Sequence, residues 1–225
     1  MKRLFDRFKA AGPAAQGKHG ERSEHSADDE GFYSTQFLER PDSFRATSAW
    51  TARALGVGAH RLPQEAALVS LGHVWGKDHF YAALDAFEKC KLADYLQFVT
   101  VPADRELVLQ DERGDYALIV LQGVVAVDRI QPTGARARLA EARDGDVLGE
   151  MSLLDNSARF VSCLTLSPCQ LAVVTAGALD DMAIEDPRLG MALMASMARR
   201  LSLRTRQLGA RLGALLVSQE GQAPR

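Results

Sequence analysis

The spacing of hydrophobic positions changes twice along the chain and divides it into three parts. From residue 33 to about residue 95, apolar residues recur at helical spacing. Residues 98–176 instead consist of short apolar runs broken by proline, glycine and acidic residues. From Pro187 to about Val217 the helical spacing returns, with no further proline. The pattern predicts a helical region, then a β-rich region, then a long C-terminal helix.

Three helices are predicted before the β-rich region, each beside a capping or turn residue. The third has the clearest pattern: Ala83, Phe87, Cys90 and Tyr95 are predicted to form its inner face, with charged residues outside. The predicted extents are Asp42 to Leu55, Pro63 to Leu71 and Phe80 to Leu96.

The β-rich region predicts an all-β sandwich, barrel or jelly roll, because regular short runs between turn residues are typical of these folds. Gly149–Leu154 lies inside it and predicts a single helical turn. The fold class is therefore α+β: a helical N-terminal region, a β-rich region with one short helix, and a long C-terminal helix. The seven clearest runs are Phe98–Val101, Glu106–Gln110, Tyr116–Leu121, Val124–Ile130, Ala137–Ala142, Arg159–Leu166 and Gln170–Thr175.

Residues 1–32 predict a disordered tail. Between Phe8 and Phe32 there is no Leu, Ile, Val, Met, Phe, Tyr or Trp, so this segment cannot bury enough apolar area to offset its ordering entropy. Residues 1–9 differ, because their apolar residues would lie on one face of a short helix with basic residues around them. They predict either a frayed terminus or a weak amphipathic contact with a membrane surface or a partner. The further predicted boundaries are 33–79 for the helical region, 80–217 for the β-roll with its C-terminal helix, and 218–225 for a second tail.

Composition narrows the class of protein. The 225 residues are 47% hydrophobic and 25% charged, with a net charge of −2, which is ordinary for a soluble globular chain. No apolar run approaches the ~20 residues of a membrane span, and the N-terminus has no apolar signal core. Cys90, Cys163 and Cys169 form no paired framework and fit a reducing compartment. We therefore expect a cytoplasmic protein.

The distribution of reactive residues argues against an enzyme. All five histidines precede the β-rich region, which excludes a jelly-roll metalloenzyme with its ligands on the strands. Neither a Gly-x-Ser-x-Gly elbow nor a phosphate-binding Walker loop occurs. We predict no catalytic residue and no metal ligand.

A set of turn and charged residues follows a fixed order through the β-rich region: Gly114-Asp115, Leu121-Gln122-Gly123, Gly145-Asp146, Gly149–Leu154, and Arg159 nine positions after Glu150. This order resembles the phosphate-binding cassette of the cyclic nucleotide-binding domain family. That family includes catabolite activator-type regulators and kinase regulatory subunits. The resemblance covers roughly residues 80–215 and implies an eight-stranded, jelly-roll-like antiparallel β-roll with a short phosphate-binding-cassette helix.

The resemblance also implies the roles of site residues. In the family, the matching arginine neutralises the cyclic phosphate and the matching glutamate accepts a hydrogen bond from the ribose 2′-hydroxyl, so Arg159 and Glu150 take these roles here. The backbone N–H groups of Ser152 and Leu153 would face the same phosphate. The implied ligand is cAMP or cGMP, with no other cofactor. The implied binding residues are Gly149, Glu150, Met151, Ser152, Leu153, Arg159 and Phe160.

Two departures from the family pattern leave an alternative open. Phe160 stands where a small or hydroxyl-bearing residue is usual, and its ring would either crowd the pocket or stack on a base. The C-terminal helix has no Phe, Tyr or Trp between Pro187 and Val217 to cap a base. The alternative is a ligand-free, degenerate domain that serves as a dimerisation and docking scaffold.

The C-terminal helix predicts how the chain associates. Met194, Leu201, Leu208 and Leu215 repeat at seven-residue intervals, which favours a homodimer through residues 187–217; the alternative is packing on the chain's own β-roll. Residues 218–225 leave no room for a helix-turn-helix, so sequence-specific DNA binding is not expected. The predicted function is a regulatory sensor of cyclic nucleotides that signals through its helices to an unidentified effector protein.

Overall fold

The computed structural model describes residues 48–220, with side chains described as far as Leu216. The predicted N-terminal tail, the amphipathic segment 1–9 and the predicted cap at Asp42 lie outside these residues, as do residues 221–225. The described residues contain seven helices and nine strands. The helices are α1 (Ala49–Gly56), α2 (Gln64–Trp75), α3 (His79–Ala82), α4 (Ala86–Asp94), α5 (Glu150–Asp155), α6 (Ala176–Glu185) and α7 (Pro187–Glu220).

The single helix predicted over Phe80–Leu96 is wrong, because the segment forms two helices. Asp85 starts α4 with a capping box, in which its carboxylate and that of Glu88 each accept a backbone N–H. The new helix start rotates the buried face away from the predicted one: Phe87 is 75% exposed and Cys90 is also exposed. Leu92 and other residues outside the predicted stripe are buried instead.

The nine strands form two antiparallel sheets that pack face to face. The five-stranded sheet has the order β1-β2-β9-β4-β7, and the four-stranded sheet has the order β3-β8-β5-β6. The eight-strand prediction missed at least one strand, since β1 and β7 are each only two residues long and too short to show a period. The strands are β1 (His60–Arg61), β2 (Gln97–Val101), β3 (Glu106–Val108), β4 (Tyr116–Gln122), β5 (Val125–Ile130), β6 (Arg136–Ala142), β7 (Val147–Leu148), β8 (Ser162–Thr165) and β9 (Cys169–Thr175).

Strand β4 separates the two hydrophobic cores. Leu118 and Val120 point between the sheets, whereas Ile119 and Leu121 point toward the helices. Burial on both faces explains why this strand reads as a continuous apolar run rather than an alternating one. The helix-side core packs α2, α6 and the first half of α7 on the five-stranded sheet.

Helix α7 changes environment along its length. Leu193 and Met197 are buried in the helix-side core, whereas Leu208 is 53% and Leu215 is 62% exposed. The first half therefore packs on its own domain, whereas the second half exposes several of its apolar side chains. The helix backbone continues to Glu220, beyond the predicted end at residue 217.

Helix α6 was not predicted, because Gly177, Asp180 and Asp181 interrupt its apolar positions. Thr175 caps its first turn by accepting the N–H of Ala178. Among the described residues, no helix combines the length and apolar character that a membrane span requires.

Candidate functional site: the phosphate-binding cassette

Arg159 lies just before β8, in a segment held by the loop that follows β3. Its backbone N–H donates to the Glu112 carbonyl, and its carbonyl accepts the N–H of Asp111, both at 2.8 Å. Because these two hydrogen bonds go to the loop after β3 and not to a neighbouring strand, β8 begins at Ser162 rather than at the predicted Arg159. The side chain leaves this segment toward the interior and is only 3% exposed.

Within the described residues, the guanidinium of Arg159 bonds only to neutral groups. Its Nη1 donates to the Gly149 carbonyl at 2.7 Å and to the Ser152 hydroxyl at 2.6 Å, and its Nη2 donates to the Tyr116 carbonyl at 2.8 Å. Its carbon also lies 4.5 Å from the centre of the Tyr116 ring. In the described part of the chain, no carboxylate oxygen lies within 4.0 Å of it. Burial of this charge lowers the pKa of Arg159.

Two glycines make room for this guanidinium. A Cβ at Gly114 or at Gly149 would overlap the guanidinium atoms of Arg159. Gly149 also has φ +75°, a backbone conformation that favours glycine. The predicted cassette residues Gly149 and Arg159 are therefore in direct contact, and the motif glycine Gly114 completes the space around the cation.

Glu150 opens α5, and its carboxylate contacts the C-terminal helix. It is 4% exposed, and its Oε1 accepts a hydrogen bond from Nη1 of Arg204 at 2.8 Å. Nη2 of Arg204 donates to the carbonyl of Val147 at 2.9 Å. Burial raises the pKa of Glu150, and the charge of Arg204 opposes that rise. The pair joins α7 to the cassette.

The other predicted site residues differ in what they face. Ser152 is buried beside Arg159, whereas Met151 is 44% exposed. Leu153 is buried in the helix-side core, and its N–H is directed at the Gly149 carbonyl within α5 at 3.4 Å. Phe160 is half-exposed, with the guanidinium carbon of Arg129 lying 4.0 Å from its ring centre.

A second buried carboxylate lies where the N-terminal helices meet α7. The side chain of Asp78 is 1% exposed, and one of its oxygens caps α3 by accepting the N–H of Phe80 and of Tyr81. The same oxygen accepts the Ser196 hydroxyl at 2.5 Å, and the other accepts Nη1 of Arg200 at 2.8 Å. Asp78 thus binds α3 to the buried half of α7.

Arg200 extends this connection to the β-roll. Its Nε donates to the carbonyl of Gly145 in the β6–β7 turn at 3.1 Å, and its guanidinium lies 4.0 Å from the Trp75 ring centre. The indole N–H of Trp75 donates to the same carbonyl at 2.9 Å. Arg200 and Arg204, one turn apart on α7, therefore hold the helix along β7 and the turn before it.

The sequence pattern identified neither the partners of Arg200 and Arg204 nor a role at the site for Asp78, Tyr116 and Arg129. The i, i+4 spacing of the two arginines was the available signal, since residues so spaced share one helix face. Within residues 48–216, no group of three or more His, Cys, Asp or Glu side chains is arranged to hold a metal ion.

Comparison with known proteins agrees with this geometry. Residues 98–186 match the family model of the cyclic nucleotide-binding domain. The CRP-like cAMP-activated global transcriptional regulator of Mycobacterium tuberculosis is 28% identical over 110 residues, which are 49% of each chain. The chain thus spans about half the length of the curated relative it matches.

Two solved structures resemble the fold. A cyclic nucleotide-binding domain from Methylobacillus flagellatus superposes with a TM-score of 0.64 at 26% identity, covering 68% of this chain and 86% of that one. The Thermus thermophilus catabolite activator protein superposes with a TM-score of 0.51 at 26% identity, covering 60% and 62%. Residues 98–186 thus match the cyclic nucleotide-binding domain in sequence, and the described residues share the fold of these two structures.

Proposed function

We propose that this chain is a regulatory sensor that binds a cyclic mononucleotide of the cAMP or cGMP type and signals through α7 to a partner protein. The observation that carries the proposal is the buried guanidinium of Arg159, which has only neutral partners at the opening of α5. A buried cation without a carboxylate favours an anionic ligand, and a planar guanidinium can bind two phosphate oxygens at once. The proposal assigns no catalytic activity.

The relatives support this ligand class. The matched regulator is named as cAMP-activated, and residues 98–186 carry the family's domain. In this proposal Arg159 exchanges a bond to Ser152 or to a backbone carbonyl for bonds to the cyclic phosphate. Glu150 accepts the ribose 2′-hydroxyl.

Signal transmission would pass through the pair of Glu150 and Arg204. A ligand hydroxyl on Glu150 competes with Arg204 for the same carboxylate, so ligand and helix position become coupled. A ligand shifts such an equilibrium only by its different affinity for the two helix positions. The second half of α7 would move when the pair breaks, because Arg204 holds the start of that half whereas Asp78 holds the first half through Ser196 and Arg200.

The same half of α7 would form a homodimer. Its exposed leucines include Leu208 and Leu215, spaced seven residues apart, as in a helix-to-helix seam. A paired helix whose position depends on ligand would present a changed surface to an effector protein. The dimer, the effector and the output are parts of the proposal.

A second candidate is the ligand-free scaffold, and one observation favours it. The donors of Arg159 already bond to three groups of its own chain, and Phe160 with Arg129 lies beside it. An arginine so engaged can serve the fold alone. Under this candidate the chain dimerises and docks without a nucleotide.

A calorimetric titration with cAMP and with cGMP separates the two candidates. Arg159→Lys keeps the charge but loses the planar fork, and Arg61→Lys is a matched control on the exposed edge strand β1. We expect saturable binding to the wild type and to Arg61→Lys, and at least about tenfold weaker binding to Arg159→Lys. A folded wild type that binds neither nucleotide overturns the sensor and favours the scaffold.

A further inference from the structure

Arg129 comes from a different strand but reaches the segment that carries Arg159. It lies on β5, which pairs with β8 in a register that sets Asp128 opposite Ser162. This register brings Arg129 beside the residues that precede β8. Its Nη1 donates to the carbonyl of Phe160 at 2.5 Å, directly after Arg159 in the chain.

Arg129 differs from its neighbours on the same sheet in having no acidic partner. Arg138 and Arg136 both pair with the buried carboxylate of Asp128. No carboxylate oxygen of the described residues lies within 4.0 Å of Arg129. The same is true of Arg159, so Phe160 directly follows one arginine without a carboxylate partner among the described residues and accepts a hydrogen bond from another.

Phe160 fixes the position of Arg129. The guanidinium carbon lies 4.0 Å from the ring centre, within the range of a cation–π contact. The carbonyl of the same residue accepts one of its N–H groups, so Phe160 holds the side chain at two points. An arginine has five N–H donors, and this contact uses one of them. The remaining donors are available to a ligand.

We infer that Arg129 is a second phosphate-recognising residue of the cassette and that Phe160 is its positioning residue. The inference rests on the proposed function, because it concerns the same ligand and the same site. Phe160 has no side-chain donor of its own, and Arg129 supplies donors and a positive charge in its place. The cyclic phosphate would then lie between two guanidinium groups, one buried and one partly buried.

The test is a calorimetric titration of the full chain with cAMP and cGMP at two salt concentrations. Arg129→Gln keeps most of the side-chain volume and removes the charge, and Phe160→Leu removes the ring while keeping an apolar side chain. Arg61→Gln is the charge-matched control. We expect at least about tenfold weaker binding for Arg129→Gln, with a smaller salt dependence than the wild type, because exposed charge interactions are screened by salt. Phe160→Leu should weaken binding about threefold.

The double variant provides a further check. When Arg129 is already glutamine, Phe160→Leu should cause no additional loss, because Phe160 acts through Arg129. Unchanged binding by Arg129→Gln, with the wild type binding normally, overturns this inference and leaves the proposed function intact. Tighter binding by Arg129→Gln would mean that Arg129 and Phe160 block the ligand site, and it would also overturn this inference. Absence of binding in both the wild type and Arg129→Gln overturns the inference together with the proposed function.

Discussion

Arg204 and Glu150 form a 2.8 Å ion pair that links the C-terminal helix to the short helix of the cassette. The carboxylate is buried, whereas the side chain of Arg204 remains 38% exposed. The same arginine also donates to Val147 in the edge strand β7. One side chain thus contacts the candidate ligand site, the sheet edge and the helix proposed to carry the signal.

Arg204→Ala should destabilise the fold, because it leaves a buried carboxylate and a sheet-edge carbonyl without their donor. The expected loss in free energy of unfolding is about 1–3 kcal/mol, measured by urea denaturation. Arg206→Ala, two residues along the same helix and exposed, should change it by less than about 0.5 kcal/mol. Equal losses for both variants would mean that the pair does not hold α7 in place.

Asp78→Asn tests the connection between α3 and α7. The asparagine amide keeps the shape of the side chain. It removes the negative charge that faces Arg200, and it replaces one of the two acceptor oxygens of this buried hydrogen-bond network with a donor. We expect a loss of about 3 kcal/mol in the free energy of unfolding. The control is Asp181→Asn, an exposed acid on α6, which should be near neutral. A near-neutral Asp78→Asn would contradict the role given to this carboxylate.

The pH dependence of stability should carry the signature of Asp78. Burial opposes its ionisation, but hydrogen bonds from Ser196 and the Tyr81 N–H, with the charge of Arg200, outweigh burial and lower its pKa. A lowered pKa in the folded state adds stability above the unfolded pKa of about 3.9, and that stability is lost as the pH falls through the folded value. Thermal unfolding from pH 7 down to pH 3 should therefore show a smaller acid-induced loss in Asp78→Asn than in the wild type. Parallel curves would argue against this ionisation.

The proposed dimer is tested on the exposed half of α7. Leu208→Glu together with Leu215→Glu places like charges along the seam, so the mass measured by light scattering should fall from that of a dimer to that of a monomer. Leu55→Glu is the control, since Leu55 on α1 is 84% exposed and belongs to no proposed interface. A wild type that is already monomeric at micromolar concentration would exclude this seam.

The sequence predicted those features that depend on local pattern. The β-rich region followed from short runs between turn residues. The motif of fixed spacing named both Gly149 and Arg159, but their direct contact is known only from the structure. The predicted inner face of the third helix was wrong because Asp85 begins a new helix there. The apolar residues continue at nearly helical spacing across this helix start, so the spacing alone does not reveal it.

Long-range polar partners could not be predicted in this way. Asp78 and Arg200 lie 122 residues apart, and Glu150 and Arg204 lie 54 apart. In its local sequence, each of these residues resembles an ordinary charged surface residue of a helix or turn. Only the packing of α7 on the five-stranded sheet brings them together, so their roles depend on the fold rather than on local spacing.

The central claim is that a nucleotide bound at the cassette changes α7. Amide hydrogen exchange of the full chain, with and without saturating cAMP or cGMP, tests it most directly, because one experiment measures the protection of both the ligand site and the helix. We expect slower exchange over residues 149–160 and a change in exchange over residues 201–216 on addition of nucleotide. In Glu150→Gln the slower exchange at the cassette should persist in part, while the change in α7 is lost. Unaltered exchange in both segments with either nucleotide would contradict the account.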